Sequence, residues 1–113
     1  MESKGCAQCN LPSLGDEFIE LLGSRGTLEI IFVFCCTSQT MRFTELNRLM
    51  SHISTKTLAT RLKQLERMGI LKRTAYNEIP PRVDYSITDK GQELADKIIP
   101  LVEWIKENQT NKP

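Results

Sequence analysis

The sequence predicts a mainly α-helical domain carrying one small β-hairpin, and three observations support that expectation. Leu58, Leu62, Leu65 and Met68 recur at spacings of four, three and three, which draws one apolar stripe along a helix. After Gly69 the pattern changes to period two, over Ile70–Tyr76 and again over Val83–Ile87, with a Pro-rich tip between them. Leu94, Ile98, Leu101 and Ile105 then return to helical spacing.

At 113 residues the chain is long enough for one domain with a single modest core. No run approaches the ~18 apolar residues of a transmembrane helix, and the opening MESKGCAQCN lacks the apolar region of a secretory signal. A cytoplasmic protein with no membrane partner is therefore expected. In that reducing compartment four cysteines do not imply a disulfide framework. The net charge of +1 conceals an asymmetry. Between Arg42 and Arg82 nine basic residues face three acids, a local charge of +6, and the rest of the chain carries −5. A basic middle between acidic ends suggests one face that binds a polyanion.

Taken in order, residues 1–13 are polar and read as a flexible arm that carries Cys6 and Cys9. Residues 14–108 form the domain, and 109–113 a frayed tail. Leu14–Gly23 reads as a short helix capped by Asp16, with Phe18, Ile19, Leu21 and Leu22 on its apolar side. Ser24, Arg25 and Gly26 make a joint. The run opened by Thr27, LEIIFVFCC, is nearly all apolar and is read as a buried helix because helical segments come after it in the chain. Thr37–Met41 is expected to be a loop. Thr44 then caps a short helix, ELNRLM, whose Leu46, Leu49 and Met50 face inward.

Ser51, His52 and Ile53 form a three-residue turn into the helix that ends at Gly69. Ser54 is its N-cap, and Gly69 supplies the left-handed C′ residue. Lys56, Thr57, Thr60, Arg61, Lys63, Gln64 and Arg67 occupy its polar face, which holds no acid. A short helix, a tight turn and a longer basic helix make the helix-turn-helix arrangement, whose second helix enters the major groove of DNA. The plainer alternative is a basic surface helix that touches nothing. The hairpin directly after it is a wing, and Arg82 at its tip is placed to meet phosphates or the minor groove.

Thr88 caps a last helix running from Asp89 to about Asn108, with a bend expected between Asp96 and Pro100. Its seam of Leu94, Ile98, Leu101, Val102 and Ile105, with Trp104 at the margin, reads as a dimerisation surface that meets Phe18 and Leu22 of a first helix. The alternative is that it folds back on its own domain.

Several blocks together resemble the HxlR family of winged-helix transcriptional regulators, within the MarR-like superfamily. They are Arg42-Phe43-Thr44-Glu45-Leu46, Ile53-Ser54-Thr55-Lys56-Thr57-Leu58, Leu65 to Leu71, Pro80-Pro81-Arg82-Val83-Asp84-Tyr85, Ile87 to Gly91, and Leu101 to Trp104. The Pro-Pro-Arg-Val-acid-Tyr wing is the most specific. The resemblance implies a prokaryotic homodimer that binds double-stranded DNA, with dimer contacts from the first and last helices. DNA contacts are expected from Arg42, Thr44, Ser54, Thr55, Lys56, Thr57, Thr60, Arg61, Gln64, Lys72, Arg73 and Arg82, with Thr55, Lys56, Thr57, Thr60 and Arg61 on the leading half of the helix, where side chains reach base edges. Two departures stand out. Where family members show a Gly-Gly-Lys-Trp-like sequence, this chain has Gly23-Ser24-Arg25-Gly26, so Phe32 or Phe34 is expected to supply the missing packing. Many members also carry a redox cysteine before the first helix, and neither Cys6 nor Cys9 falls cleanly at that position.

Cys6 and Cys9 have the spacing of a redox pair or half a metal site, so inert thiols, thiol sensing and metal binding all remain open for them. Adjacent Cys35 and Cys36 read as small hydrophobes, and His52 as a hydrogen-bonding turn residue. No catalytic constellation, metal site or cofactor motif is present. The expected function is a sequence-specific DNA-binding regulator acting as a homodimer on an inverted repeat, with redox or thiol responsiveness left open by Cys6 and Cys9. The alternative is a winged-helix module for protein–protein contact.

Overall fold

A computed structural model describes residues 16–109. The arm assigned to residues 1–13, with Cys6 and Cys9, lies outside the described residues, as does the tail beyond Gln109. In chain order the elements are α1 (Asp16–Leu22), α2 (Thr27–Cys36), β1 (Thr40–Arg42), α3 (Phe43–Leu49), α4 (Thr55–Arg67), β2 (Leu71–Tyr76), β3 (Arg82–Ile87) and α5 (Asp89–Gln109). The fold is mostly helical with a small antiparallel sheet, as the periodicities predict.

That sheet has three strands in the order β1-β3-β2, so β3 is central. The hairpin pairs Leu71 with Ile87 and Tyr76 with Arg82. β1 corrects an expectation: Thr40–Arg42 lies within or beside the stretch read as a loop, yet it pairs with Asp84–Ser86. Three residues give too little alternation to register as a strand. Their pairing depends on a partner more than 40 residues away.

α3 begins two residues earlier than expected, and Thr44 is not its cap. Arg42 occupies the cap position in extended geometry, and its backbone N–H donates to Glu45 Oε1 at 3.0 Å. The acid three residues on thus satisfies the N–H of the cap residue itself, a different donor from the first-turn N–H that a Thr44 hydroxyl was expected to satisfy. Leu46 and Met50 are buried as expected, whereas Leu49 is half exposed at 49%. A seven-residue helix turns Leu49 away from the face that Leu46 and Met50 share.

The core joins Ile30, Ile31 and Phe34 of α2 to Leu58, Leu62 and Leu65 of α4, all essentially inaccessible. Fully burying one such side chain contributes roughly 1.5–3 kcal/mol. Ile70, Tyr85, Ala95 and Ile98 extend the same core from the hairpin to α5. The Thr88 hydroxyl caps α5 by accepting from the Gly91 N–H at 2.9 Å, and it donates to the Gly69 carbonyl at 2.6 Å. One side chain thus fixes both the start of α5 and the exit from α4. At Gly91 the last helix crosses the hairpin root so closely that a Cβ would stand 2.3 Å from the Ile70 carbonyl oxygen. α5 continues through Pro100 to Gln109, one residue into the assigned tail.

The seam assigned to dimerisation divides. Ile98 is buried in the chain's own core at 5% exposure, while Leu101 (48%) and Trp104 (61%) face outward. Leu94, Val102, Phe18 and Leu22 are partly buried against the core. The fold-back alternative thus accounts for Ile98, because α5 packs along α2. Beside Gly26 the nearest atoms belong to Ile53 and Met50. These residues, and not Phe32 or Phe34, occupy the space next to the position where the family pattern has Trp. Phe34 is buried elsewhere in the core, and Lys106 Nζ lies 4.7 Å from the Phe32 ring centre.

Candidate nucleic-acid interface

Ser54 spends its hydroxyl on starting α4, with Thr57 as its partner. Ser54 Oγ accepts from the Thr57 N–H at 3.0 Å and donates to Thr57 Oγ1 at 2.9 Å. This fixes where the helix begins, and it leaves the two residues as supports for the face rather than its most available donors. Thr55 Oγ1 donates to Asn47 Oδ1 at 3.1 Å and ties the first turn of α4 to α3. The turn angle of the helix pair is thus held by Asn47, a side chain that no periodicity or motif singles out.

Leu58, Leu62 and Leu65 set the inward side, so Lys56, Ala59, Thr60 and Lys63 stand on the outward side, all exposed. Thr60 returns its hydroxyl to the Lys56 carbonyl at 3.0 Å. Arg61 and Gln64 are only partly exposed. Arg61 Nε donates to the Arg25 carbonyl at 2.9 Å, and its Nη1 to Gln64 Oε1 at 3.2 Å. Arg61, expected at a base edge, is thus tied to the joint between α1 and α2, and Gln64, expected as a DNA contact, accepts from it. At the far end of α4, Arg67 pairs with Glu17 of α1.

The wing forms the second half of the surface. Arg82 is the first residue of β3, not the tip, and its guanidinium is held within the chain. Its Nε lies 3.5 Å from Asp84 Oδ1, and Nη1 lies 3.9 Å from Glu78 Oε2. Tyr76 first, then Glu78 and Asp84, raise its pKa above the ordinary guanidinium value. The tip itself is Ile79, fully exposed and followed by Pro80 and Pro81. A period-two reading stops where the strands stop and gives no signal for an aliphatic tip. Lys72 and Arg73 are exposed on β2. A cleft of about 540 Å³ separates Arg42, Phe43 and Thr44 from Arg73 and the Pro80–Val83 segment.

The cations of this region fall into two groups. Arg61, Arg67 and Arg82 are engaged inside the chain. Arg42, Arg48, Lys56, Lys63, Lys72 and Arg73 are exposed and form no ion pair among the described residues. Unpaired, solvated cations on neighbouring elements suit a polyanion better than a protein surface, because they can exchange counterions for phosphates without first breaking internal pairs.

Among the described residues no group of three or more His, Cys, Asp or Glu is placed to hold a metal ion. His52 stands in the turn, 3.9 Å from Glu29 of α2. No described helix is long and apolar enough to cross a membrane. Cys35 is partly buried, and that burial, ahead of Cys36 and Asp96, raises its pKa.

Comparison with known proteins places this arrangement. The family model described as HxlR-like helix-turn-helix matches residues 21–113. The HTH-type transcriptional regulator BH0655 of Halalkalibacterium halodurans is 40% identical over 93 residues, which span 82% of this chain and 81% of the relative. Among solved structures, the reduced form of the transcriptional regulator YodB from B. subtilis superposes with a TM-score of 0.65 at 35% identity, covering 79% of this chain and 85% of that one. The redox regulator HypR in its reduced form gives a TM-score of 0.73 at 26% identity, covering 83% and 91%.

Proposed function

This chain belongs to the HxlR-like helix-turn-helix family of transcriptional regulators, and we propose that it binds an inverted repeat in duplex DNA as a homodimer. The observation that carries the reading is the row of exposed cations, unpaired among the described residues, and small hydroxyl residues along α4 and the wing. Lys56, Ala59, Thr60 and Lys63 form the face inserted into the major groove, where Lys can read guanine and apolar contacts can read the thymine methyl. Arg42, Thr44, Lys72 and Arg73 meet backbone phosphates on either side, and Ser54, Thr55 and Thr57 support the helix start. Arg82 holds the wing, whose tip presents Ile79 to the minor groove.

One such unit covers too few base pairs to find a unique site, so two copies at a fixed spacing are required. Half-sites one turn apart place two recognition helices roughly 34 Å apart. The exposed Leu101 and Trp104 of α5, with Val102 and Ile105 beside them, supply the apolar surface for that pairing. Cys6 and Cys9 make the dimer responsive to thiol oxidants. The resemblance to a protein described as a redox regulator supports that assignment.

Selection from a random duplex pool, followed by a salt titration on the enriched sequence, tests the reading. The expected result is a palindromic consensus whose log affinity falls steeply with log salt. Replacing Lys56 by Ala should relax the preference at one base position in each half-site. A pool that yields no consensus, with binding insensitive to salt, would leave a protein-contact module.

A further inference from the structure

The joint between α1 and α2 is bolted to the helix-turn-helix from two directions. Arg61 Nε, from the middle of α4, donates to the Arg25 carbonyl across 36 positions of sequence. Arg25 in turn donates from Nη2 to the His52 carbonyl in the turn, at 3.2 Å. Between these contacts Gly26 holds φ at +91°, where a side chain is strained, and a Cβ would stand 3.0 Å from Ile53 Cδ1. The backbone of the joint is thereby fixed against the turn, and Arg61 fixes α4 against the joint.

Three attachments now hold α4 along its length. They are Thr55 to Asn47 at the first turn, Arg61 to Arg25 in the middle, and Arg67 to Glu17 at the end. A helix held at one point can still roll about its axis, whereas one held at three cannot without breaking a contact. Rolling matters because base edges are read only where side chains stand at the correct angle to the groove. An arginine that reads guanine must lay its fork along the base edge, and Arg61 is instead anchored through Nε and Nη1 to partners inside the chain.

We propose that Arg61 is a positioning residue, which sets the roll of the recognition helix by locking it to the α1–α2 joint and leaves base reading to Lys56, Thr60 and Lys63. This inference rests on the DNA-binding reading above. A positioning role differs from both a base contact and a phosphate contact, and each of the three leaves a distinct signature.

The experiment compares the full-length protein with Arg61→Ala and Arg61→Lys. It combines selection from a random duplex pool, salt titration on the enriched sequence, and amide hydrogen exchange without DNA. A positioning residue predicts the same consensus flattened at every position, with affinity lowered on the order of tenfold, the scale of one charge-assisted hydrogen bond. It also predicts an unchanged salt slope and faster exchange over residues 23–30. Loss of preference at one base position alone would make Arg61 a base reader. A salt slope smaller by about one would make it a phosphate contact. Unchanged exchange over 23–30 would overturn the lock to the joint. If the alanine protein fails to fold, the lysine variant carries the test, since it keeps the charge and loses the fork. If even the unmodified protein selects no duplex, the DNA reading fails, and hydrogen exchange alone decides whether the lock exists.

Discussion

The Cζ atom of Arg82 lies 4.0 Å from the centre of the Tyr76 ring, and the two residues face each other across the hairpin as its outermost pair. The guanidinium therefore closes the base of the wing tip like a clasp, with Glu78 and Asp84 beside it. Replacing Arg82 by Ala is expected to weaken binding to every duplex alike, because the tip loses its support. Arg82→Lys separates shape from charge: it keeps the cation but cannot stack flat on Tyr76 while meeting two carboxylates. Affinity for the enriched duplex should fall with Lys while the salt slope stays the same. Full affinity in the lysine variant would mean that the charge alone matters.

On α5 the outward and inward apolar residues should behave differently. Leu101→Asp combined with Trp104→Ala is expected to yield a folded monomer by light scattering, with weak non-specific DNA binding and no preference for a palindrome. Ile98→Asp places an unpaired charge in the core and should cost roughly 3–5 kcal/mol of stability, read as early unfolding in urea. A Leu101/Trp104 variant that stays dimeric would move the interface elsewhere.

Gly91→Ala tests the crossing of α5 over the hairpin root. Its methyl group would stand 2.3 Å from a backbone oxygen, which cannot rotate aside as a side chain could. The expected loss is about 1–3 kcal/mol, typical of overpacking, measured as a lowered urea midpoint. An unchanged midpoint would show that the two elements separate easily.

For the thiols, mild diamide treatment should reduce operator affinity in the native protein and leave the Cys6→Ser/Cys9→Ser variant unaffected. The other two cysteines supply an internal control. Cys36 is exposed, whereas burial raises the pKa of Cys35 and disfavours its thiolate. Alkylation near pH 8 followed by mass spectrometry should therefore label Cys36 first. Equal responses of the native and double-serine proteins to diamide would make Cys6 and Cys9 inert.

The helices and the hairpin were legible because each repeats its period long enough to be counted. Leu58, Leu62 and Leu65 mark an inner face without any knowledge of what they touch, and Ser54 and Gly69 mark its ends. β1 was not legible, because Thr40–Arg42 is a strand only through its pairing with Asp84–Ser86. The cap of α3 was misread for a related reason. Thr44 has the usual capping chemistry, but the helix starts two residues earlier, where Glu45 reaches back to the Arg42 N–H. At the candidate site, the sequence identified the basic face but not which of its cations were already engaged. Arg61, Arg67 and Arg82 resemble Lys56 and Lys63 in a sequence. Only the position of Arg25, Glu17 and Asp84 in space separates the two groups.

The central place of β3 bears on the order in which the chain folds. β2 and β3 are joined by a five-residue tip and can pair early at small entropic cost, whereas β1 must close a loop of about 40 residues to reach the same strand. β1 can dock only on a hairpin that already exists. The segment from Phe43 to Arg67 lies between these strands, so that docking seals it at both ends. Its sealing is then a late event, and the three-residue strand is the first seam to reopen. Amide exchange at Thr40–Arg42 should consequently outpace that of β2, and each opening would free the leading end of α3 and lift Met41 out of the core.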